Sequence, residues 1–162
     1  MEIRKAVSGD IPVIMQIYSS ARSFMRRSGN PSQWAGVYPA EEDIRLDIEL
    51  SRLYVCVEEK DILGVFCFFE GTDPTYVKIY EGSWLNDEPY GVIHRIAVAE
   101  NAHGKGVAAF CFDYCHKKSG NIKIDTHRDN IPMQKALAKN GFRECGIIYL
   151  ANGDERIAFQ KC

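Results

Sequence analysis

Apolar positions along the chain change rhythm several times, and each change marks an element. Ile3 to Val7 reads as a short first strand. Behind the capping run Ser8-Gly9-Asp10, with Pro12 tolerated in a first turn, Ile11, Ile14, Tyr18, Ala21 and Met25 recur at helical spacing and predict a helix to about Arg27. Ser28-Gly29-Asn30-Pro31-Ser32 breaks it, and a loop holding Trp34 and Tyr38 follows. Ile44, Ile48 and Leu50 predict a second helix, with Glu41-Glu42-Asp43 at its positive end. Leu53 to Glu58 and Ile62 to Glu70 are β-branched and aromatic, and the polar turn Glu59-Lys60-Asp61 between them makes a hairpin.

The stretch Gly71 to Pro89 reads as a loop rich in tyrosine, tryptophan and acid. Gly91 to Ala99 is almost continuously apolar, the pattern of a central strand. A helix is predicted from about Lys105 to Lys118, a strand over Ile122 to Thr126, and a helix from near Asn130 to the C-cap pair Asn140-Gly141. Phe142 to Leu150 and Glu155 to Gln160, joined by Asn152-Gly153, close the chain as a hairpin. There is no repeat, low-complexity tract or linker, so the expectation is one α+β domain over residues 1–162.

Composition narrows the function classes. At 46% hydrophobic and 26% charged, the 162 residues are those of an ordinary globular fold, which excludes disorder, collagen and a small disulfide scaffold. Twenty basic against 22 acidic residues leave a formal charge of −2, without the basic excess of a nucleic-acid binder. Met1-Glu2-Ile3-Arg4-Lys5 lacks an apolar signal core, and no apolar run approaches the ~20 residues of a membrane helix. The expected location is cytoplasmic, without membrane or nucleic-acid partners. Cys56, Cys67, Cys111, Cys115, Cys145 and Cys162 show no CxxC pattern and read as thiols. Cys111, Cys115 and His116 could share a helix face, but no fourth ligand accompanies them, so no metal is expected.

The most informative stretch runs from the apolar strand into His103-Gly104-Lys105-Gly106-Val107-Ala108. A buried strand ends there, a turn follows, and a helix opens on small residues. Such an opening presents unpaired N–H groups and the positive end of a helix dipole, which suits a pyrophosphate. A strand–turn–helix connection with convenient glycines is the plainer alternative.

With its flanks, this order of elements resembles the GCN5-related N-acetyltransferase (GNAT) superfamily over essentially the whole chain. The family loop Gln/Arg-x-x-Gly-x-Gly/Ala is matched at Gly106 and Ala108, with His103 at the first position. The family's Asn followed eleven and twelve residues later by Gly-Phe is matched by Asn130, Gly141 and Phe142.

The resemblance implies a mixed, mostly antiparallel sheet with helices on both faces, a splayed strand pair, and acetyl-CoA as co-substrate. Backbone N–H groups of Gly104, Lys105, Gly106, Val107, Ala108 and Ala109 would then hold the pyrophosphate, with His103 a further cofactor-binding candidate beside them. The backbone of Ile96 and Val98 would pair with the pantetheine arm, and Asn130 would either bond the same arm or simply cap its helix. The Lys105 side chain would meet a phosphate or stay in water. It further implies acetyl transfer to a small-molecule or peptide amine by direct attack, with a homodimer allowed for. A CoA-binding module with little turnover, and a transferase of a larger acyl group or one acting on a protein N-terminus, are the other readings.

Direct attack needs a base, because a lysine-like amine has a pKa of ~10. His94, on the predicted central strand, is the first candidate, and a core histidine bonded to backbone or tyrosine is its structural alternative. Glu70 and Glu81 are rivals acting through water. Strand alternation predicts that Arg95 points away from His94. A backbone N–H near Ile96 or Ala97 would serve the oxyanion. Many family members place a tyrosine acid where this chain has Leu137, so either Tyr149 or another hydroxyl substitutes from elsewhere, or no acid is used. Trp34, Tyr38 and Glu81, with the aromatics of the long loop, are the candidate acceptor residues, and suit a cationic amine.

Overall fold

In the computed structural model, which describes residues 1–162, the strands are β1 (Glu2–Lys5), β2 (Leu53–Glu58), β3 (Asp61–Glu70), β4 (Gly91–Val98), β5 (Ile122–Thr126), β6 (Arg143–Tyr149) and β7 (Glu155–Lys161). They form one sheet in the order β1-β2-β3-β4-β5-β7-β6. Only β4 and β5 run parallel; every other neighbouring pair is antiparallel. The helices are α1 (Ile11–Arg27), α2 (Glu41–Glu49), α3 (Val107–Ser119) and α4 (Ile131–Lys139).

Strand alternation sorts the core into two layers. Tyr54 and Phe66 lie against Tyr114 of α3, at ring centroid distances of 5.9 and 6.4 Å. Val65 and Cys67, one position out of phase, turn to the opposite face and are fully buried there. On that side the fully buried Tyr18 of α1 and Ile44 of α2 close the layer, and the Tyr18 hydroxyl donates to the Arg95 carbonyl at 2.8 Å. Each such large side chain contributes about 1.5–3 kcal/mol by leaving water.

Two irregularities of β4 shape everything that follows. First, β4 and β5 pair only at Gly91↔Ile122 and Val92↔Lys123, and beyond these they diverge. Ala99 N–H bonds the Leu63 carbonyl on the β3 side at 2.8 Å, so alternation turns the backbone of Ala97 toward β3 and that of Ile96 and Val98 toward the gap. Second, the β3–β4 register slips between Val65↔Ala97 and Cys67↔His94, which puts an extra residue in β4 and leaves Arg95 with φ of +51°. This β-bulge corrects the alternation argument for Arg95: its side chain emerges on the α1–α2 side, the same side as His94.

The long segment between β3 and β4 is pinned across the sheet. Fully buried Gln160 accepts from Leu85 N–H (2.7 Å) and donates to Asn121 (2.8 Å), while Tyr80 and Ile147 exchange backbone bonds of 2.8 and 2.7 Å. Gly82 passes so close to β6 that a Cβ there would collide with the Cys145 carbonyl oxygen, so only glycine fits.

Candidate active site

The divergence of β4 and β5 opens a cleft of about 520 Å³. Ile93 to Ile96 form one wall and Ile124 to Thr126 the other. Trp34 and Tyr38 from the α1–α2 connection, and the turn between β6 and β7, complete the rim.

His94 sits in this cleft with Nε2 2.7 Å from the Asp73 carboxylate. Asp73 also accepts from the Thr75 N–H (2.9 Å) and hydroxyl (2.7 Å). Burial alone would raise the Asp73 carboxyl, but the bonds from His94 and Thr75 outweigh it and hold the carboxyl down at about 2. An ionised carboxylate only accepts, so it requires the proton of His94 on Nε2 and leaves the lone pair on Nδ1. Nδ1 makes no hydrogen bond and is not sealed in protein. The Tyr76 ring has its centroid 6.1 Å from that of His94, and its hydroxyl donates to Asp125 at 2.6 Å. Burial pushes the Asp125 carboxyl up, against the pull of His94 and the Tyr76 bond.

The Asp73 arrangement has a measurable acid signature. Its folded carboxyl lies below the ordinary value of 3.8, so the stabilisation is complete above that value and lost as pH falls toward about 2. The difference amounts to about 2 kcal/mol. Urea unfolding between pH 6 and 2.5 is expected to show a steeper acid loss for the native chain than for Asp73→Asn. Equal slopes would contradict the pairing.

Arg95 closes the α1–α2 side of the cleft. It bonds the fully buried Asp47 of α2 and donates to the Tyr38 hydroxyl at 2.9 Å. Arg52 holds the other Asp47 oxygen at 2.9 Å. Burial also pushes the nearby Cys67 thiol up to about 12, which keeps it protonated and inert.

At the end of β4, Gly104 and Gly106 adopt φ of +81° and +78°, and Gly106 caps the 13-residue α3. The first backbone bond of α3 runs from Phe110 N–H to Gly106 O at 3.0 Å. The N–H groups of Gly104, Gly106, Val107, Ala108 and Ala109 therefore have no partner, whereas the Lys105 N–H, expected among them, is already bonded to the Ala102 carbonyl at 3.2 Å. A Cβ on either glycine would meet nothing within 4 Å, so open space lies before them. Unpaired donors, a helix dipole and open space fit a pyrophosphate.

Residues 14–142 match the family model described as Acetyltransferase (GNAT) family. The chain belongs to the GNAT acetyltransferase family. It is similar to a GNAT acetyltransferase from Streptococcus agalactiae at 32% identity, over 99% of this chain and 94% of that one, with a TM-score of 0.91. A protein from Staphylococcus aureus Mu50 shares 27% identity over 99% of this chain and 98% of that one, at a TM-score of 0.71. A GNAT acetyltransferase from Listeria monocytogenes, 19% identical over 99% of this chain and 93% of that one, shares the fold at 0.72. No curated protein matches the chain. GNAT family members use acetyl-CoA, and no helix is long and apolar enough to cross a membrane.

Within this GNAT fold, His94, Ile96, Asn130, Trp34 and Tyr38 all line the cleft. Asn130 caps α4, accepting from Met133 N–H at 3.2 Å, while its amide donates to Gln33 at 2.9 Å. His103 is exposed beside the loop, with Nε2 3.3 Å from the Val98 carbonyl and its ring edge-on to Phe24. The Lys105 side chain is exposed. Three candidates lie elsewhere. Glu70 is exposed at the far end of β3, opposite Gly91. Glu81 is exposed on the long loop, and Tyr149 is 44% exposed with its ring against Tyr80. Leu137 is fully buried in the core. Asp73, Asp125 and Gln33 also belong to the site, though no motif marks them along the chain. A carboxylate inside the β-rich run Ile122 to Thr126, and the turn signal Asp73-Pro74-Thr75, were the available signs.

Proposed function

We propose that the chain transfers an acetyl group from acetyl-CoA to a primary amine of a small molecule or peptide, by direct attack through a tetrahedral intermediate. The observation that carries this reading is the free Nδ1 of a histidine tethered by a carboxylate, at the gap between β4 and β5. Bound acetyl-CoA supplies an acyl group already activated as a thioester. The five free N–H groups from Gly104 to Ala109 would hold its pyrophosphate, and the backbone of Ile96 and Val98 would pair with its extended arm. Asn130 keeps the start of α4 in place through Met133 and Gln33.

His94 Nδ1 takes the proton from the acceptor ammonium and so creates the nucleophile. Asp73 fixes the tautomer and stabilises the imidazolium that results. Ile96 N–H, on the gap side of β4 by alternation from Ala99, would donate to the developing oxyanion. A thiol of pKa ~8.5 leaves without an acid, so Leu137 in place of a tyrosine is no obstacle.

Calorimetric titration with acetyl-CoA, followed by thiol release with a panel of amines, tests the proposal; saturable binding and amine-dependent release are expected. Gly106→Val is expected to weaken acetyl-CoA binding about tenfold or more, because a β-branched side chain strains φ of +78° and fills the space before the N–H groups. Unchanged affinity in a folded variant would remove this loop from the site.

A further inference from the structure

Charged groups around the cleft are matched almost without exception. Asp73 has His94, Arg95 has Asp47, and Asp125 has the Tyr76 hydroxyl. Arg156 of β7 is different. It is 5% exposed, yet no carboxylate oxygen lies within 4 Å of its guanidinium. Its single hydrogen bond runs from Nη1 to the Glu155 carbonyl at 2.9 Å. Nε and Nη2, which form one edge of the guanidinium, have no partner and are not sealed in protein. A buried cation left this way is costly unless something supplies the anion.

Register shows where that edge stands. Asp125 pairs with Ala158, so Arg156, two residues along β7, lies on the same face of the sheet as Asp125. It lines the same cleft as His94, on the side of the β6–β7 turn. Asp125 on the same face attracts Arg156 from beyond ion-pair distance, and the other charged neighbours do not satisfy it. Arg128 and Glu155 pair with each other at 3.6 Å. Burial and Arg156 itself both push His127 toward its neutral form. Asp154 is exposed and bonds Asn152.

We propose that Arg156 binds an anionic group carried by the acceptor, so that the substrate is an amino acid or similar amine bearing a carboxylate. The inference rests on the acetyl-transfer reading and names its substrate class. Two parallel donors on one guanidinium edge match the two oxygens of a carboxylate. One positive charge balances one negative charge; a dianionic phosphate would leave a charge uncompensated beside Asp125 and Asp154. The amine of such a molecule then reaches toward His94 and Asp125, and a cleft of about 520 Å³ admits a small amino acid.

Matched acceptors that differ only at the carboxylate test this: L-methionine against L-methioninol, L-phenylalanine against L-phenylalaninol, and β-alanine against 3-aminopropan-1-ol. The expected result is kcat/KM about tenfold or more higher for the carboxylated member of at least one pair, carried by KM. In Arg156→Gln that preference should collapse, and Arg156→Lys should keep part of it, with melting curves and acetyl-CoA titration showing that each variant is folded. Should Arg156→Gln fail to fold, the native-chain pairs and Arg156→Lys decide. Equal or better turnover of the amino alcohols would overturn the anion site and leave acetyl transfer standing. No turnover with any acceptor, despite bound acetyl-CoA, would overturn acetyl transfer itself and this inference with it.

Discussion

His94→Ala is expected to lower kcat for amine acetylation by about 100- to 10,000-fold near pH 7, the usual contribution of a positioned general base. The loss should fall on kcat, because His94 sits in the gap and away from the Gly104–Ala109 loop, so acetyl-CoA affinity stays near that of the native chain. The defect should also shrink as pH rises toward ~10, where the acceptor sheds its proton unaided. Stopped-flow thiol release from pH 6 to 10 reads both effects. A variant with native rates throughout would dismiss His94 as the base. Asp73→Asn should lie between the two, since an amide can donate to Nε2 and so favours the wrong tautomer.

The second large effect is on stability. Asp47→Ala is expected to destabilise the chain by about 3–5 kcal/mol, the cost of leaving a buried charge without its partner. Asp47 is fully buried and holds both Arg95 and Arg52. Arg95 has no alternative partner of opposite charge, and its Nε is already buried without a hydrogen bond. Tyr38 alone would remain on it, at 2.9 Å. Urea unfolding at pH 7 measures the loss, and a value below about 1 kcal/mol would show that solvent reaches Arg95 freely. Replacing both partners, Asp47→Leu with Arg95→Met, should recover much of the stability, because the orphaned charge is then gone.

Much of this fold was legible along the chain because the relevant signals are local. The spacing of Ile11, Ile14 and Tyr18, the Glu59-Lys60-Asp61 turn and the Asn140-Gly141 cap each reside within a few residues, and the elements appear where those signals stand. The glycines around Lys105 likewise announce a helix opening. What stayed hidden depends on contacts between distant segments. The bulge at Arg95 has no signature within β4; it is imposed by the register against β3 and by Asp47, 48 residues earlier. Asp73 meets His94 only because the segment between β3 and β4 folds back over the sheet, pinned through Gln160 and Ile147. Glu70, attractive by its place at a strand end, stands outside the cleft for the same reason: proximity in sequence to the cleft's walls does not bring it among the lining residues.

The short pairing of β4 with β5 also bears on how the molecule holds together. A seven-stranded sheet joined at its middle by two residue pairs is, mechanically, a plate of four strands and a plate of three on a short hinge. Helix α3 bridges the two, running from the end of β4 to the start of β5. The exposed flank of β4 is an edge strand placed inside a sheet, with the appetite for a pairing partner that protein edges normally suppress. An extended ligand laid along Ile96 and Val98 would act as an inserted strand and brace the plates against each other. With such a ligand in place the fold would be finished by what it binds, and its rigidity would belong to the complex.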